Sequence, residues 1–418
     1  MKVWILNHYA IPPAYGGLNR HYYFSETLKP LGVDTVIFTA SKIHNTDINF
    51  MRGERGLYKE VEFENTTYEF VKTGEYSGNG IKRIFSFVQF PFNLWRCIKK
   101  FYKSSQPDII YASSPELFST FVAVLFGKKN KIPTIVEVRD LWPESVVAYS
   151  GFTERNLIIK LLYKLERWIY SKADFLIFTF NGGKDYIIKK KWDMEAGGDI
   201  DTNKVEYINN GVNIDEFKAC KHYYNDAIMN SNKFKIVYTG SVRRVNSISL
   251  ILEACMELQE HGTDDIDFII FGDGTEREKL VEKAQEMNLT NIHFRNRVDK
   301  KYIPSILNRA DATIIVGQHD TMSMYGISAN KIFDYMAAGK PIISNLDVGY
   351  DEIIKHNCGI VIPGGTGKDI AEAALKLRDL NIEEYNLLCE NAEIAAKEFD
   401  YKKLSMELFS IYKKIKTK

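Results

Sequence analysis

The feature that most constrains the fold is a long alternation of short β-branched runs with amphipathic segments. In the N-terminal half the strand-like runs are VWILNHY, DTVIFTA, DIIYASS, TIVEVRD and ADFLIFTF. Helical periodicity between them predicts helices over residues 21–29, 116–127 and 156–171. Such alternation favours right-handed crossovers and a parallel sheet.

A second series of the same kind begins near Phe234. Its strand-like runs are FKIVYTGS, IDFIIFGDG, NIHF, ATIIVG, PIISN and GIVIP, and helices are predicted over 247–261, 275–288 and 329–338. A chain of 418 residues is long enough for two or three domains. We therefore predict an α/β protein with two Rossmann-like parallel-sheet domains, residues 1–200 and 201–395. Residues 396–418 would form a C-terminal helix returning to the first domain, and the polar stretch 192–233 would carry the linker.

Composition excludes several protein classes. Hydrophobic residues at 45% and charged residues at 26% are typical of a soluble globular protein. No uninterrupted apolar stretch approaches the ~20 residues of a membrane span, and the run VWIL directly after Met1 resembles a buried strand more than a signal peptide. The five scattered cysteines show no metal-ligand spacing. We predict a cytoplasmic protein without structural zinc.

Charge is distributed unevenly along the chain. Residues 1–191 hold 27 basic and 18 acidic residues, whereas the remainder holds 28 and 36. This asymmetry predicts that the first half meets an anionic partner, either a membrane surface or nucleic acid.

The first candidate site is the loop NHYAIPPAYGGLNRHYY, which follows the first strand. Ligands of open parallel sheets bind outside the carboxyl ends of the strands. Gly16 and Gly17 precede a helix, where positive φ and free N–H groups would let a phosphate approach closely. Arg20 and His21 would lie in the first helical turn. A plain strand–helix turn is the alternative.

The second candidate is the segment EVRDLWPES. Arg139 and Asp140 end a predicted strand and Glu144 lies in the following loop, a suitable place for catalytic side chains. The alternative is a surface ion pair beside a buried Trp142.

The third candidate is the segment GISANKIFDYMAAGKPII. Lys331 and Asp334 share one face of a predicted helix. The lysine would reach a diphosphate as a point charge, and the acid would accept ribose hydroxyls. A helix salt bridge is the alternative.

Two weaker signals lie on neighbouring strands. Arg243 and Arg244 follow FKIVYTGS and suit a pyrophosphate. The turn Gly272, Asp273 and Gly274 would pack against a nucleobase. Either signal alone is more often structural.

Taken in order, YGGLNRHYY, NNGVNIDEF, YTGSVRR, IIFGDGTEREKL and NKIFDYMAAGKPII resemble the family-4 glycosyltransferases of the GT-B fold. DLWPES together with NKIFDYMAAGKP is most similar to a bacterial surface-polysaccharide branch that includes N-acetyl-L-fucosamine transferases. The resemblance implies an acceptor-side N-terminal domain facing a nucleotide-sugar-binding C-terminal domain across a cleft.

The resemblance also assigns roles to the candidate residues. Gly16 and Gly17 would approach the donor phosphates, and Asp140 would lie near the reacting sugar. Arg243 or Arg244 would bind the diphosphate. Asn246 stands where many members have a lysine, so Lys331 would supply that charge. Of the family's two glutamates, the second corresponds to Asp334 and the first to Gly326, so the backbone around Gly326–Ser328 would contact the donor sugar.

The implied reaction is metal-independent transfer of a hexosyl group with retention at the anomeric carbon. The donor would be a nucleotide sugar, by default a UDP-linked N-acetylated hexosamine, and no other cofactor is expected. The acceptor would be a saccharide on a polyprenyl diphosphate, in capsule or lipopolysaccharide synthesis. Two alternatives remain open: a sugar-nucleotide epimerase, and a catalytically inactive subunit that binds nucleotide or lipid.

Residues 81–105 hold six basic side chains, no acidic one and several aromatics. This pattern suits an anionic membrane surface. The alternative is an ordinary helix whose aromatics pack on the sheet; no motif supports nucleic acid. We predict peripheral association with the inner face of the plasma membrane. The predicted acceptor or membrane residues are Arg20, His21, Lys82, Arg83, Trp95, Lys99 and Lys100.

Overall fold

The computed structural model describes residues 1–16, 19–44, 46–76, 81–114, 116–220, 222–318 and 321–416, with the backbone alone at 81–84 and 149–150. The chain divides into two compact units. Residues 1–209 and 401–418 form the first unit, and residues 210–400 form the second.

The described part of the first unit contains an eight-stranded sheet in the order β3-β4-β2-β1-β5-β6-β7-β8. Every neighbouring pair is parallel except β3 and β4. The strands are β1 (Lys2–Leu6), β2 (Asp34–Ala40), β3 (Tyr58–Phe63), β4 (Thr66–Val71), β5 (Ile109–Ser113), β6 (Thr134–Val138), β7 (Phe175–Phe178) and β8 (Val205–Tyr207). The helices are α1 (Arg20–Leu28), α2 (Ile81–Phe101), α3 (Leu117–Asn130), α4 (Glu144–Ser150), α5 (Leu157–Lys172) and α6 (Gly183–Lys189).

The hairpin β3–β4 was not predicted. Its first strand, YKEVEF, is charged and half exposed, so it lacks the continuous apolar run of the buried parallel strands. Glu64 turns the hairpin with a left-handed φ of 54°. The sequence signal of an exposed edge strand is weak for this reason.

The described part of the second unit contains a six-stranded, fully parallel sheet in the order β11-β10-β9-β12-β13-β14. Its first elements are α7 (Ile214–Lys218), β9 (Phe234–Thr239), α8 (Ser249–Glu260), β10 (Ile266–Phe271), α9 (Arg277–Glu286), β11 (Ile292–Arg295) and α10 (Ile303–Asn308). The remaining elements are β12 (Ala312–Ile315), α11 (Asn330–Ala337), β13 (Ile342–Ser344), α12 (Glu352–Lys355), β14 (Gly359–Val361), α13 (Gly367–Arg378) and α14 (Ile382–Glu398). The prediction of an α/β protein with two parallel sheets is confirmed.

The last helix, α15 (Tyr401–Lys416), belongs to the first unit. Its buried residues Leu404, Leu408 and Ile411 join the core of that unit. At its start the Tyr401 ring stacks on Tyr23 of α1, with 4.7 Å between the ring centroids.

The stretch 192–233, expected to be a linker, contains regular structure. Strand β8 pairs in parallel with β7, and α7 follows in the second unit with its N-terminus capped by Asn213. Both elements are short, and so short a strand or helix leaves little periodicity in the sequence.

A buried ion pair lies beneath the carboxyl edge of the first sheet. Glu137 of β6 and Arg20 of α1 are both fully buried, with 2.6 Å between Oε2 and Nε. The Arg20 guanidinium also donates to the carbonyls of Ile208 and Asn209, and the hydroxyl groups of Tyr111 and Ser113 donate to Glu137. Burial alone would raise the pKa of Glu137, but Arg20 and the nearby His21 hold it well below its usual range.

We expect Glu137→Leu to destabilise the protein strongly, because it leaves the Arg20 charge buried without its carboxylate. Breaking a buried pair in this way costs about 3–5 kcal/mol of unfolding free energy. Urea denaturation followed by tryptophan fluorescence would measure the loss.

The matched control is Asp199→Asn, which breaks an exposed pair with Arg167 whose oxygen and nitrogen are 2.7 Å apart. An exposed ion pair contributes about 1 kcal/mol or less to the free energy of unfolding. An equal effect of the two substitutions would contradict the structural importance of the buried pair.

Candidate functional site

In the second unit, the turns that follow β9 and β10 pack backbone against backbone. A Cβ atom on Gly272 would lie 1.8 Å from the carbonyl oxygen of Gly240, and one on Gly274 would lie 2.2 Å from that of Val242. The amide of Val242 also donates to the carbonyl of Asp273 over 2.9 Å. Only glycine fits at positions 272 and 274, which form part of the carboxyl edge of the sheet.

Lys331 lies at the start of α11 and reaches the same edge. Its Nζ is 2.8 Å from the hydroxyl oxygen of Tyr238 on β9, and that hydroxyl donates to the carbonyl of Ser241 over 2.8 Å. Burial lowers the pKa of Lys331 to about 7. A nearby anion would stabilise the ammonium form of a lysine that loses its proton this easily. Such a lysine is expected in a ligand-binding site.

Arg243 and Arg244 occupy the exposed turn after Val242. Asn246 closes this turn, because its side-chain amide donates to the carbonyl and hydroxyl oxygens of Ser241 over 2.6 and 2.9 Å. Asn246, which stands where many members of the resembled family have a lysine, therefore stabilises the turn that carries the two arginines.

Asp334 is half buried one turn further along α11, and within the described residues no ion pair joins it to Lys331. Burial raises its pKa, and Lys300 acts in the opposite direction.

Ser328 accepts a hydrogen bond from the Asn210 side chain at its carbonyl, while its own Oγ is buried without a partner among the described residues. Asp273 is exposed, and its carboxylate accepts from the amide of Gly274.

In the first unit, Arg139 and Asp140 directly follow β6. The amide of Arg139 donates to the hydroxyl oxygen of Ser114 over 2.9 Å, which fixes the strand end. The side chain of Asp140 reaches solvent, yet the surrounding protein raises the pKa of its carboxyl group, with Arg139 acting in the opposite direction. Glu144 begins α4 and pairs with Lys190, which follows α6.

The glycine loop differs from expectation at Gly16. Its φ of 168° is extended backbone that any residue adopts, and a Cβ there would make only ordinary contacts with Ile11. The predicted positive φ is therefore wrong at Gly16, because the short helical turn at Pro13–Tyr15 already redirects the chain. Gly17 lies outside the described residues.

Two of the predicted acceptor or membrane residues are core residues. Arg20 and His21 are each 1% exposed, so neither side chain is available to a membrane or an acceptor. The pKa of His21 is lowered by burial, against the effect of Glu137 at 3.2 Å. The sequence pattern gave no means to distinguish the buried from the exposed face of this helix start.

The other predicted residues of this group lie on α2. The prediction for Trp95 is also corrected, since this side chain is partly buried and packs on Phe126. Lys99 and Lys100 are exposed. The side chains of Lys82 and Arg83 lie outside the described residues.

Two important residues were missed by the sequence analysis. Glu137 interrupts the apolar strand TIVEV, and a carboxylate in a strand buried on both faces requires a partner. That signal was present. Tyr238 looked like an ordinary strand aromatic, and nothing in the sequence indicated its contact with Lys331.

The described residues contain neither a metal-binding cluster nor a membrane-spanning helix. No three His, Cys, Asp or Glu side chains lie close enough together to hold a metal ion. No helix in the same residues has the length and apolar character needed to cross a bilayer.

Comparison with known proteins gives two family matches, one for each unit. Residues 15–216 match Glycosyltransferase Family 4, and residues 225–395 match Glycosyl transferases group 1. Over 99% of both chains, the sequence is 23% identical to an uncharacterized glycosyltransferase of Methanocaldococcus jannaschii.

Solved structures resemble the whole chain. Sucrose-phosphate synthase from Thermosynechococcus elongatus superposes with a TM-score of 0.75 at 15% identity, covering 100% of this chain and 99% of that one. Anabaena HepE, solved with UDP and glucose, gives a TM-score of 0.65 at 14% identity over 99% and 100% of the two chains. These neighbours are GT-B glycosyltransferases.

We expect Lys331→Met to raise the melting temperature, most strongly at pH 6. The folded protein holds the ammonium in a partly desolvated position, with a pKa near 7 against an ordinary value of 10.5. Between these values the unfolded chain binds more protons, so wild-type stability rises with pH and the advantage of the variant shrinks. Scanning calorimetry from pH 6 to pH 10 would measure the difference.

Lys279→Met, at an exposed lysine of α9, is the control and should show no such pH dependence. A melting-temperature difference between wild type and Lys331→Met that stays constant with pH would rule out a lowered pKa at Lys331.

Proposed function

Because this chain belongs to the GT-B glycosyltransferases of the group 1 and family 4 superfamily, we propose that it transfers a hexosyl group from a UDP-linked sugar with retention at the anomeric carbon. The proposed donor sugar is an N-acetylated hexosamine. The proposed acceptor is a saccharide carried on a polyprenyl diphosphate during surface-polysaccharide synthesis, at the inner face of the plasma membrane.

The observation that carries the proposal is the half-buried Lys331, whose Nζ lies beside the glycine turns of the second unit. A diphosphate is a compact anion that backbone amides and a lysine bind well. The glycines at 272 and 274 allow the close backbone packing of the strand ends beside this lysine. HepE, a structural neighbour, was solved with UDP, which makes a uridine nucleotide the first donor to test.

In the proposed reaction the acceptor hydroxyl attacks the anomeric carbon from the face that the nucleotide leaves. The bond from that carbon to the diphosphate oxygen breaks, and the departing phosphate takes the acceptor proton. Negative charge grows on the diphosphate as this bond breaks, before the proton is transferred. Lys331, Arg243 and Arg244 would stabilise that charge electrostatically, the largest contribution in many enzymes. No protein nucleophile and no metal ion is required by this scheme.

Asp140 is the proposed contact to the reacting sugar or the acceptor hydroxyl. Its carboxyl group lies at the end of β6, with a raised pKa and with Arg139 adjacent in sequence. A carboxyl group in this setting is suited to orienting a hydroxyl through hydrogen bonds. The ion pair with Lys190 gives Glu144 a structural role in fixing α4. The catalytic role of Glu144 stays a prediction.

The proposed membrane contact is the outer face of α2. Phe85, Val88 and Phe92 are 65%, 58% and 64% exposed and recur at helical spacing. Further along the same face Arg96 lies 5.8 Å from the Phe92 ring, and Lys99 is exposed. The inner face, by contrast, is buried in the core. Exposed aromatics followed by basic residues suit the interface of an anionic bilayer.

We expect UDP at a hundredfold excess over its dissociation constant to stabilise the protein by about 2.7 kcal/mol. GDP, CMP, ADP and NAD should stabilise it less. Lys331→Ala should strongly reduce the UDP effect, because it removes the cation from the diphosphate site. Thermal-shift measurements with each nucleotide provide the comparison.

Lys279→Ala, on the exposed side of α9, is the matched control and should respond to UDP like the wild type. Stabilisation by NAD, or by none of the nucleotides, would overturn the donor assignment and favour a catalytically inactive subunit.

We expect the double substitution Phe85→Ser with Phe92→Ser to reduce binding to vesicles containing phosphatidylglycerol by at least about tenfold. Each ring would otherwise bury apolar area worth about 1.5–3 kcal/mol. Binding of the wild type should also weaken with salt, since the basic residues contribute about 1 kcal/mol each. Vesicle sedimentation measures both effects.

Ile382→Ser is the matched control, because Ile382 is 70% exposed on α14 of the second unit. Equal vesicle binding by the wild type and the double variant would remove α2 from the proposed membrane contact.

A further inference from the structure

Tyr238 connects the candidate lysine to the backbone of the neighbouring turn. It is the fifth residue of β9 and is fully buried. Its hydroxyl group lies between Lys331 Nζ and the carbonyl oxygen of Ser241, at 2.8 Å from each. No role follows for this tyrosine from the glycosyltransferase reaction itself.

We propose that Tyr238 is a positioning residue that holds Lys331 against the Gly240 turn, and that this pair binds the donor diphosphate with uptake of one proton. This inference rests on the proposed function, because it requires the diphosphate to bind at Lys331.

The direction of the hydrogen bonds gives Tyr238 its positioning role. A tyrosine hydroxyl has one proton, and here that proton is donated to the Ser241 carbonyl. The lone pairs of the hydroxyl oxygen are then left to accept a hydrogen from Lys331 Nζ. The Tyr238 ring also lies 4.0 Å from Nζ, measured to the ring centroid, a contact that favours the ammonium form. The tyrosine thus fixes both the place and the donor direction of the lysine.

Gly240 closes the other side of this arrangement. A Cβ atom at this position would lie 2.8 Å from Lys331 Nζ and 3.3 Å from the Tyr238 hydroxyl oxygen. The φ of 147° at Gly240 also favours glycine. The turn therefore packs directly on the pair, and Nζ is confined to the carboxyl edge of the sheet.

The charge of Lys331 explains the uptake of a proton. Burial lowers the pKa of the lysine to about 7, so a large share of the molecules carry a neutral amine above that pH. Tyr238 contacts Nζ, and Asp334 and Tyr335 follow Lys331 on its own helix; burial raises the pKa of each of these three groups. None of these supplies a paired negative charge to Nζ within the described residues. A bound diphosphate would supply that charge and draw one proton from solvent onto Nζ.

The proposal predicts that Tyr238→Phe weakens UDP binding roughly tenfold, the size expected when a hydrogen bond to a charged group is lost. Isothermal titration calorimetry with UDP measures the dissociation constant. The matched control is Tyr385→Phe, which removes a hydroxyl bonded over 2.6 Å to the carbonyl of Asp311, at the opposite, amino end of β12. This control should bind UDP like the wild type.

A double-mutant cycle tests whether Tyr238 acts through Lys331. The variant carrying both Tyr238→Phe and Lys331→Met should bind UDP no more weakly than Lys331→Met alone. Independent, multiplicative losses would overturn the positioning role. If Tyr238→Phe unfolds, Gly240→Ala provides the second variant, because its Cβ would displace Nζ; unchanged UDP binding by this variant would also overturn the proposal.

Proton uptake is measured at pH 8 in two buffers of different ionisation enthalpy. The terminal phosphate of UDP, with a pKa near 6, is fully ionised there, so uptake reports on the protein. We expect close to one proton for the wild type, none for Lys331→Met, and wild-type UDP affinity that falls with pH above about 7. In Tyr238→Phe the decline should begin at lower pH, because the ammonium loses an acceptor.

The outcomes separate the two proposals. UDP binding that depends on Lys331 but not on Tyr238, without proton uptake, overturns this inference and leaves the proposed function standing. Absence of any nucleotide binding by the wild type overturns both.

Discussion

A buried charge without a partner is among the least tolerable features of a protein interior, and the first unit is arranged around one such pair. Glu137 lies near the carboxyl end of β6, and Arg20 reaches it from the start of α1. The same guanidinium holds the carbonyls of Ile208 and Asn209, the last residues of the unit before the chain leaves it. One ion pair therefore fixes a helix start, the strand β6 that precedes Asp140, and the exit of the chain.

The second unit depends on glycines, whose lack of a side chain lets two turns pack closely together. The turns after β9 and β10 approach so closely that a single methyl group at Gly272 would overlap the Gly240 carbonyl. This contact holds the two strand ends together beside the Lys331 amine. The edge suits an anion because it presents a cation whose charge responds to its surroundings.

The sequence was informative where one residue type can satisfy a physical requirement. Continuous apolar runs predicted the parallel strands, and the glycines and Lys331 marked the edge of the second sheet. It was less informative where the outcome depends on which face of an element is buried. Arg20, His21 and Trp95 were assigned to a surface because basic and aromatic residues suit membranes, but the tertiary structure buries the first two and partly buries Trp95. The hairpin β3–β4 was missed because an exposed edge strand lacks the apolar run that marks a buried one.

The environment of Lys331 is difficult to explain by stability alone. An apolar residue of the same length would fill the position without a charge that burial disfavours. The tyrosine and the glycine that enclose Nζ are likewise costly to change, because each is in contact with the other. Proteins retain such locally unfavourable arrangements where a ligand restores the balance, since binding then gains the interaction that folding lacked. A diphosphate at this edge would provide that interaction, and the half-buried lysine would then be a stability cost that favours donor binding.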